Sequence, residues 1–424
     1  MKLQLEFSRD VITTADSVGA GGFGEARLHG SNAAFVVKTA IRKDQPLPYD
    51  KLCYMISHPL VPSDRGHRYC WPLDICVDPA TGERCGYVME KAEGAVDFER
   101  ALAAGPPDRY RLRVAHNLCR SLVDLHRVKI FRSDWPNFMV LIDATVVEID
   151  LDSVQIARPD GQFRSGCVKL STIPPRLITL QRTGGGEFDT TEEDDLWSLA
   201  VVLWMWLRDG ESPFACRWTG PGRRPSDLQR IEQGLWPHSG KHPEVEPRRG
   251  ATPFASLDRE LQFLFTKAFE DGHARPEWRP TAADWAAAFA RLDRRGDVTL
   301  SHDEWRAVQT GRPARRRPPL RVTPPRRSRV AAGALAVGVL AGGYALHLPG
   351  QQTMQQDVAG PTAGQPETTP RTAADVGRSA AIALSNRPSP RDRSTPSLLS
   401  LGHLPAKEPG DTPSLWNATR RPAH

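Results

Sequence analysis

The feature that most constrains the fold is a glycine-rich run at residues 18–26 (VGAGGFGEA), followed by an apolar segment that ends at Lys38. At Gly19, Gly21 and Gly24 the missing Cβ lets a backbone approach phosphate oxygens, and a lysine supplies a cation for the same phosphates. In a dinucleotide-binding turn a helix would follow the third glycine, but here a turn and a second β-rich segment follow. The pattern predicts a β-hairpin that covers a nucleotide phosphate. A glycine-rich hairpin with a surface lysine is the alternative.

The composition of the 424-residue chain changes near residue 310. Almost all tryptophans and all seven cysteines lie before that point, and about 300 residues can bury a sizeable core. Residues 309–329 form an Arg/Pro-rich linker. Within it, residues 311–329 hold eight arginines and no acidic residue. Without these arginines the formal net charge of +6 would be slightly negative, which argues against nucleic-acid binding by the folded part. The cysteines are odd in number and lack CxxC spacing, which favours reduced thiols over disulfides or a zinc site.

An uncharged apolar segment follows the arginines. We predict a single transmembrane helix over residues 330–348, whose apolar core VAAGALAVGVLAGGYAL would span about 25 Å at 1.5 Å per residue. A flexible apolar linker is the alternative. The preceding arginines place the folded region on the cytoplasmic side. Residues 350–424 are rich in Pro, Ser, Thr, Gln and Ala, and this composition predicts a disordered tail.

A second group of polar residues lies in the middle of the folded region. Asp134 and Asn137 come just before an apolar, strand-like segment, and Asp150 and Asp152 end the next one. Phosphoryl transfer needs a carboxylate to orient the attacking hydroxyl, an amide oxygen and a carboxylate to hold Mg²⁺, and a cation on the phosphates. Each of these residues alone could be a turn former. Their order after Lys38 favours a phosphotransfer site.

Several further segments carry a resemblance to a known family. They are residues 51–56 (KLCYMI), 71–74 (WPLD), 86–90 (GYVME), 150–153 (DLDS), 195–200 (DLWSLA), 212–214 (SPF) and 279–285 (RPTAADW). Through them, residues 12–293 resemble a bacterial protein-kinase-like domain of the Ser/Thr kinase fold, closest to the kinases associated with a helix-hairpin-helix module. The resemblance implies an α+β, bilobal protein-kinase-like fold with a β-rich N-lobe and a helical C-lobe. Here the transmembrane helix and the disordered tail would follow it.

The resemblance also implies roles for individual residues in binding ATP and Mg²⁺. Gly19, Gly21, Gly24 and Lys38 would hold the phosphates, the backbone from Glu90 to Ala92 would meet adenine, Asp134 would orient the hydroxyl, Asn137 and Asp150 would bind Mg²⁺, and Asp50 would pair with Lys38. The implied function is that of an ATP-dependent Ser/Thr protein kinase in signalling, anchored in the bacterial inner membrane by a single span. Its protein substrates are not specified by the sequence, and no nucleic-acid partner is expected. Ser171 and Thr172 are the first candidates for phosphorylation.

Two departures from the family pattern favour a second hypothesis. Asp134 precedes Asn137 by three residues where the family has five, so counting back from Asn137 puts Arg132 at the catalytic position, whereas counting forward along the chain gives Asp134. Arg176 replaces an acid that usually pairs with the arginine at position 279, which predicts a rearranged activation segment or an outward-facing Arg176. The second hypothesis is a pseudokinase or ATP-binding scaffold with little or no phosphotransfer.

Overall fold

The computed structural model describes residues 1–20, 24–41, 47–165, 168–183, 189–293 and 296–313. The strands in these ranges are β1 (Lys2–Leu5), β2 (Val11–Ala20), β3 (Gly24–His29), β4 (Phe35–Ala40), β5 (His67–Tyr69), β6 (Pro72–Val77), β7 (Arg84–Glu90), β8 (Val96–Asp97), β9 (Ile130–Phe131), β10 (Phe138–Val140), β11 (Val146–Glu148), β12 (Gln155–Arg158), β13 (Gly161–Phe163), β14 (Cys216–Trp218) and β15 (Val245–Pro247). The helices are α1 (Tyr49–Ser57), α2 (Phe98–Ala104), α3 (Asp108–Arg127), α4 (Pro175–Arg182), α5 (Glu192–Leu207), α6 (Asp227–Glu232), α7 (Arg259–Thr266), α8 (Gly272–Ala274), α9 (Ala282–Leu292) and α10 (His302–Thr310).

The first strands form a closed antiparallel barrel of six strands. Their order is β1-β2-β3-β4-β7-β6, and β1 closes the barrel because it pairs with both β2 and β6. Side chains alternate along β1, so that Leu3 and Leu5 point inward. There they pack with a small apolar cluster made of Ile12, Val37, Cys76 and Val88.

This architecture corrects the predicted fold class. The sequence predicted an α+β, bilobal protein-kinase-like fold beginning at residue 12, with a transmembrane helix and a disordered tail after it. That prediction was wrong because β1, which precedes residue 12, turns the expected β-rich lobe into a closed barrel. Across the described ranges we also find no helix with the length and apolar character that spanning a membrane requires. The predicted span 330–348, the tail 350–424 and the linker beyond residue 313 lie outside the described residues, so membrane attachment stays a prediction.

The helices after the barrel gather around α5, which is buried on nearly all sides. Its start is fixed by a capping box, in which the Thr191 side chain accepts from the backbone N–H of Asp194 and the Asp194 carboxylate accepts from that of Thr191. Trp197 and Trp204 project from α5 into the helical core, where Trp204 lies 6.2 Å from Trp236 between ring centroids. A helix that is apolar all round belongs in a core, as α5 does.

A small sheet connects the barrel with the helices and leads to the polar residues. Its strand order is β5-β11-β10-β8, and the chain enters it twice, first at β5 between α1 and β6, and again at β8 after the last barrel strand, β7. Phe138 of β10 pairs with Glu148 of β11, and just beyond that pair the Ile149 N–H donates to the Asn137 carbonyl at 3.1 Å. The residues that follow β11 are thereby held beside those that precede β10.

Candidate functional site

Lys38 on β4 is the central charge of the site. Its Nζ lies 2.8 and 3.0 Å from the two carboxylate oxygens of Asp152 and 3.2 Å from Asp150 Oδ1. The residue is only 8% exposed. Burial by itself lowers the pKa of Lys38, but the Asp152 and Asp150 carboxylates outweigh that effect and hold the pKa above its usual range. The ammonium therefore stays charged, and it joins the barrel to the segment after β11.

The two aspartates have different environments. The Asp150 side chain is 46% exposed, whereas that of Asp152 is 7% exposed and lies in the short 3₁₀ turn Leu151–Ser153. Asp150 adopts a left-handed backbone conformation, with φ 54° and ψ 37°, and its carbonyl accepts from the Ser153 hydroxyl at 2.8 Å. Such a conformation is uncommon for a residue other than glycine. Asp150 is thus the accessible carboxylate, as its predicted role requires, and Asp152 is the internal partner of Lys38.

These contacts correct the expectation that Lys38 pairs with an acid on helix α1. Asp50, the acid predicted to pair with Lys38, is exposed on α1. The next residue, Lys51, is buried, and its ammonium donates to the Val154 carbonyl at 2.8 Å and to that of Arg164 at 3.4 Å. Helix α1 is therefore tied to the segment after Asp152 by a lysine. The closely spaced acids at 150 and 152 were the sequence signal for the partner of Lys38. The sequence analysis gave a role only to Asp150, as a Mg²⁺ ligand, whereas the buried partner of Lys38 is Asp152.

The glycine-rich hairpin is described at its two ends, whereas Gly21 lies outside the described residues. Gly19 is in β2 and Gly24 opens β3, and the strands pair up to Ala20 and Glu25. A Cβ on Gly24 would stand 3.0 Å from the Lys38 Cε atom, closer than real Cβ contacts normally allow. A Cβ on Gly19 would meet no atom of the described chain within 4 Å. Gly24 is thus needed so that the Lys38 stem can pass, while Gly19 borders open space.

Asp134 and Asn137 lie side by side in the loop before β10. The Asn137 amide nitrogen donates to Asp134 Oδ2 at 2.8 Å, and the Asn137 amide oxygen lies 3.4 Å from the Lys169 ammonium. Asp134 is half-buried, whereas Arg132 is 3% exposed and forms an ion pair with Glu148. Of the two positions that the sequence left open for the catalytic acid, the carboxylate at 134 is the one placed beside Asn137. Sequence reasoning missed Lys169, for which no motif gave a signal.

Arg132 is instead part of the support beneath this loop. It lies 4.0 Å from the Trp135 ring centroid and donates to the Asn137 carbonyl at 3.1 Å. Burial raises the pKa of its partner Glu148 even though the Arg132 charge opposes that shift. Asp195 at the start of α5 adds a second anchor, because it accepts from the Trp135 indole at 2.6 Å and from the Arg132 backbone N–H at 2.8 Å. The loop geometry is thus fixed by buried charges on both sides.

The segment from Glu90 to Ala92 occupies the connection that was predicted to meet adenine. Glu90 ends β7 opposite Phe35, and the Lys91 N–H donates to the Ala34 carbonyl at 2.8 Å. The chain then enters β8, which pairs with β10 of the small sheet. These residues therefore lie where the barrel meets the rest of the fold.

Arg176 has a partner that the family pattern did not suggest. Its guanidinium forms an ion pair with Asp194, the second member of the capping box of α5, and donates to the Asp189 carbonyl at 2.5 Å. Arg279 lies nearby and donates to the carbonyls of Glu193 and Gly272 at 2.6 and 2.9 Å. Burial lowers the pKa of Arg279 to about 10, against the opposing influence of the nearby acids. The two arginines thus share the N-terminal end of α5, and Arg176 is not an unpaired charge.

The two hydroxyls proposed for phosphorylation differ in access. Thr172 is 1% exposed, and its hydroxyl donates to the Trp135 carbonyl at 3.2 Å. Ser171 is exposed. Ser171 therefore stays the candidate for phosphorylation, because the Thr172 hydroxyl is buried and already forms a hydrogen bond within the protein.

The donor chemistry of the site suits Mg²⁺ bound together with phosphates. Across the described ranges there is no group of three or more His, Cys, Asp or Glu side chains that could hold a metal ion by themselves. Mg²⁺ prefers oxygen ligands and is commonly held by one or two carboxylates plus substrate phosphates and water. Asp150 and the amide oxygen of Asn137 offer that minimal set. ATP would have to supply the remaining ligands.

No protein-family model matches the chain, and no curated protein is similar enough to count as a relative.

Proposed function

We propose that this chain binds ATP with Mg²⁺ and transfers the γ-phosphate to a Ser or Thr hydroxyl of a protein. The observation that carries the proposal is the contact of Lys38 with Asp150 and Asp152 beside the hydrogen-bonded pair of Asp134 and Asn137. Together these side chains offer a cation for phosphates, oxygen ligands for Mg²⁺ and a carboxylate for the acceptor hydroxyl. They come from the barrel, from the loop before β10 and from the turn after β11.

Each side chain has a separate task in the proposed reaction. Lys38 binds phosphate oxygens and exchanges part of its contact with the exposed Asp150 for them, while the buried Asp152 keeps the ammonium in place. Asp150 would hold Mg²⁺, and the Asn137 amide oxygen is the second candidate ligand; when bound, the ion would neutralise charge on the phosphates. The acceptor oxygen forms a bond to the γ-phosphorus as the bond to ADP breaks, and Asp134 takes the hydroxyl proton.

One observation favours a second candidate, an ATP-binding scaffold without transfer. Both polar ends of the Asn137 amide already have partners, Asp134 on one side and Lys169 on the other. A site that keeps these contacts when ATP binds would hold nucleotide but leave the Lys169 ammonium at the Asn137 oxygen, where it opposes Mg²⁺ binding.

The experiment that separates the two functions uses the purified full chain and two variants. Transfer of radiolabelled γ-phosphate to the chain itself and to generic protein acceptors is measured with Mg²⁺ and with Mn²⁺, beside ATP affinity. For Asp134→Asn we expect transfer to fall on the order of 100-fold while ATP affinity is kept. For Asp150→Asn we expect the Mg²⁺-dependent part of ATP affinity to be lost as well. Asp303→Asn, a change at a fully exposed acid, is the control.

Each outcome decides between the candidates. ATP binding without transfer in either metal would reject the kinase and leave the scaffold. Absence of ATP binding would reject both. Transfer that is unchanged in Asp134→Asn would remove the proposed role of that carboxylate.

A further inference from the structure

Lys169 places a positive charge at the amide that the proposed reaction assigns to Mg²⁺. Its ammonium lies 3.4 Å from the amide oxygen of Asn137, the atom that would be a metal ligand. The amide nitrogen of the same side chain donates to Asp134 at 2.8 Å. The orientation of the amide therefore follows from its two neighbours, a cation at the oxygen and a carboxylate at the nitrogen. In the described ranges no acidic side chain lies within 4.0 Å of the Lys169 ammonium to neutralise it.

The backbone at Lys169 is fixed to the same loop that it contacts. Its carbonyl accepts from the Thr172 N–H at 3.2 Å, and the Thr172 hydroxyl donates to the Trp135 carbonyl at 3.2 Å. On the other side, the Thr172 carbonyl accepts from the Ser198 hydroxyl of α5 at 2.9 Å. Because Thr172 is fully enclosed, these bonds hold the turn against both the loop and the helix. The placement of Lys169 beside Asn137 is thus built into the fold.

A divalent cation at the same oxygen would lie within a few ångströms of the ammonium. Two like charges at that distance repel strongly unless an anion separates them, and each weakens binding of the other. Asp150, by contrast, is partly exposed and adjacent to Ile149, whose N–H bonds to the Asn137 carbonyl. A single Mg²⁺ held on the Asp150 side therefore suits the charges better than two.

We propose that Lys169 supplies the positive charge at the Asn137 amide oxygen in place of a divalent cation, so that the site works with one Mg²⁺ held by Asp150 and Asn137 is not a metal ligand. This inference rests on the proposed ATP site. The Lys169 ammonium donates to an oxygen of the transferring phosphoryl group, and it neutralises charge there without forming or breaking a bond. The new phosphorus–oxygen bond, the broken bond to ADP and the transfer of the proton to Asp134 remain as described above.

The test counts metal ions on the full chain. Bound Mn²⁺ is measured by electron paramagnetic resonance, with the protein saturated by a non-hydrolysable ATP analogue. We expect one Mn²⁺ per bound nucleotide in the native chain and in Lys169→Arg, which keeps the charge. In Lys169→Met and Lys169→Gln we expect a second, weaker Mn²⁺. Lys241→Met is the control, because this lysine is 57% exposed and pairs with Glu270.

Transfer measured on the same variants gives a second readout. Lys169→Met should lower the turnover rate on the order of 100-fold, and raising Mn²⁺ should restore part of it. A structural role would not be rescued by metal. Two Mn²⁺ per nucleotide in the native chain, or one in every variant, would overturn the inference. One Mn²⁺ in the native chain and two in Lys169→Met, with no transfer in either, would reject the kinase and the contact of Lys169 with a transferring phosphoryl group but support its role in excluding a divalent cation at Asn137. Absence of bound nucleotide would reject both proposals.

Discussion

At the scale of single residues, a charged side chain can be buried in this fold only where a partner of opposite charge or a hydrogen-bonding group lies beside it. The Lys38 ammonium and the Asp152 carboxylate are both nearly enclosed and lie 2.8 Å apart. Tyr87 is also buried there, and burial together with the Asp152 and Asp150 charges raises the pKa of its hydroxyl far above the usual range. Removing one member of such a pair leaves an uncompensated charge, which costs more than the pair itself contributes.

Lys38→Met should therefore have two separable effects. It should weaken ATP binding at least about 10-fold because a phosphate cation is lost, and it should lower the free energy of unfolding by about 3 kcal/mol because Asp152 is left unpaired. The double variant Lys38→Met with Asp152→Asn should regain most of the stability but not the ATP affinity. Urea unfolding and nucleotide titration measure the two effects. Recovery of ATP affinity in the double variant would contradict the phosphate role of Lys38.

A second residue-scale prediction concerns acid stability. Burial, helped by the nearby Arg208 charge, lowers the pKa of His238 to about 4, and its ring stacks on Phe254 at 5.1 Å. Between that pKa and the ordinary value near 6.5, the unfolded chain binds a proton that the folded chain does not. Stability should thus fall as the pH drops through this window, and His238→Gln should remove on the order of 1 kcal/mol of that pH dependence. Equal pH slopes in urea unfolding of the two proteins would refute this.

At the scale of elements, the N-terminal end of α5 organises the region around it. Asp194, which forms the capping box with Thr191, pairs with Arg176, and the next residue, Asp195, holds the loop that carries Asp134. The apolar run at residues 196–207 and the acids before it are the sequence signal for a buried helix. The sequence could not predict the partner of Arg176, because that acid is eighteen residues away and the family pattern pointed to position 279 instead.

The pairing at α5 predicts that the family's usual acid would be harmful at position 176. In Arg176→Glu the new carboxylate would face the carboxylate of Asp194 at the start of α5. The ion pair at this helix end would be lost, and two like charges would repel each other. We expect a loss of about 1–3 kcal/mol in the free energy of unfolding. Arg176→Gln should lose less, because the repulsion is absent. If Arg176→Glu were as stable as the native chain in thermal unfolding, the ion pair with Asp194 would not contribute to the stability of the fold.

At the scale of the whole molecule, the sequence pointed to four polar residues by their order and chemistry but misplaced the start of the fold. The structure puts Lys38 in contact with Asp150 and Asp134 in contact with Asn137, and their assignment to one site stays a prediction. The role of β1 was missed, because a strand of four residues with two leucines carries little periodic signal and its partner in β6 is about seventy residues away. Its long-range pairing could be recognised only once the barrel was seen.

Closure by β1 can be tested where its side chains enter the barrel. Leu5 is fully buried and pairs with Cys76, whereas Lys2 on the same strand is exposed. Leu5→Ala should lower the free energy of unfolding by about 2–4 kcal/mol, because it removes buried methyl groups and leaves a cavity, and Lys2→Ala should change it by less than about 0.5 kcal/mol. A chain that begins at residue 12 should lose more than Leu5→Ala, since it also leaves the edges of β2 and β6 unpaired. Urea unfolding measures all three variants.

ATP affinity should fall together with the stability of the barrel, because β2, β3 and β4 carry Gly19, Gly24 and Lys38. If the shortened chain kept native stability and ATP affinity, β1 would be dispensable, and the barrel would not depend on being closed.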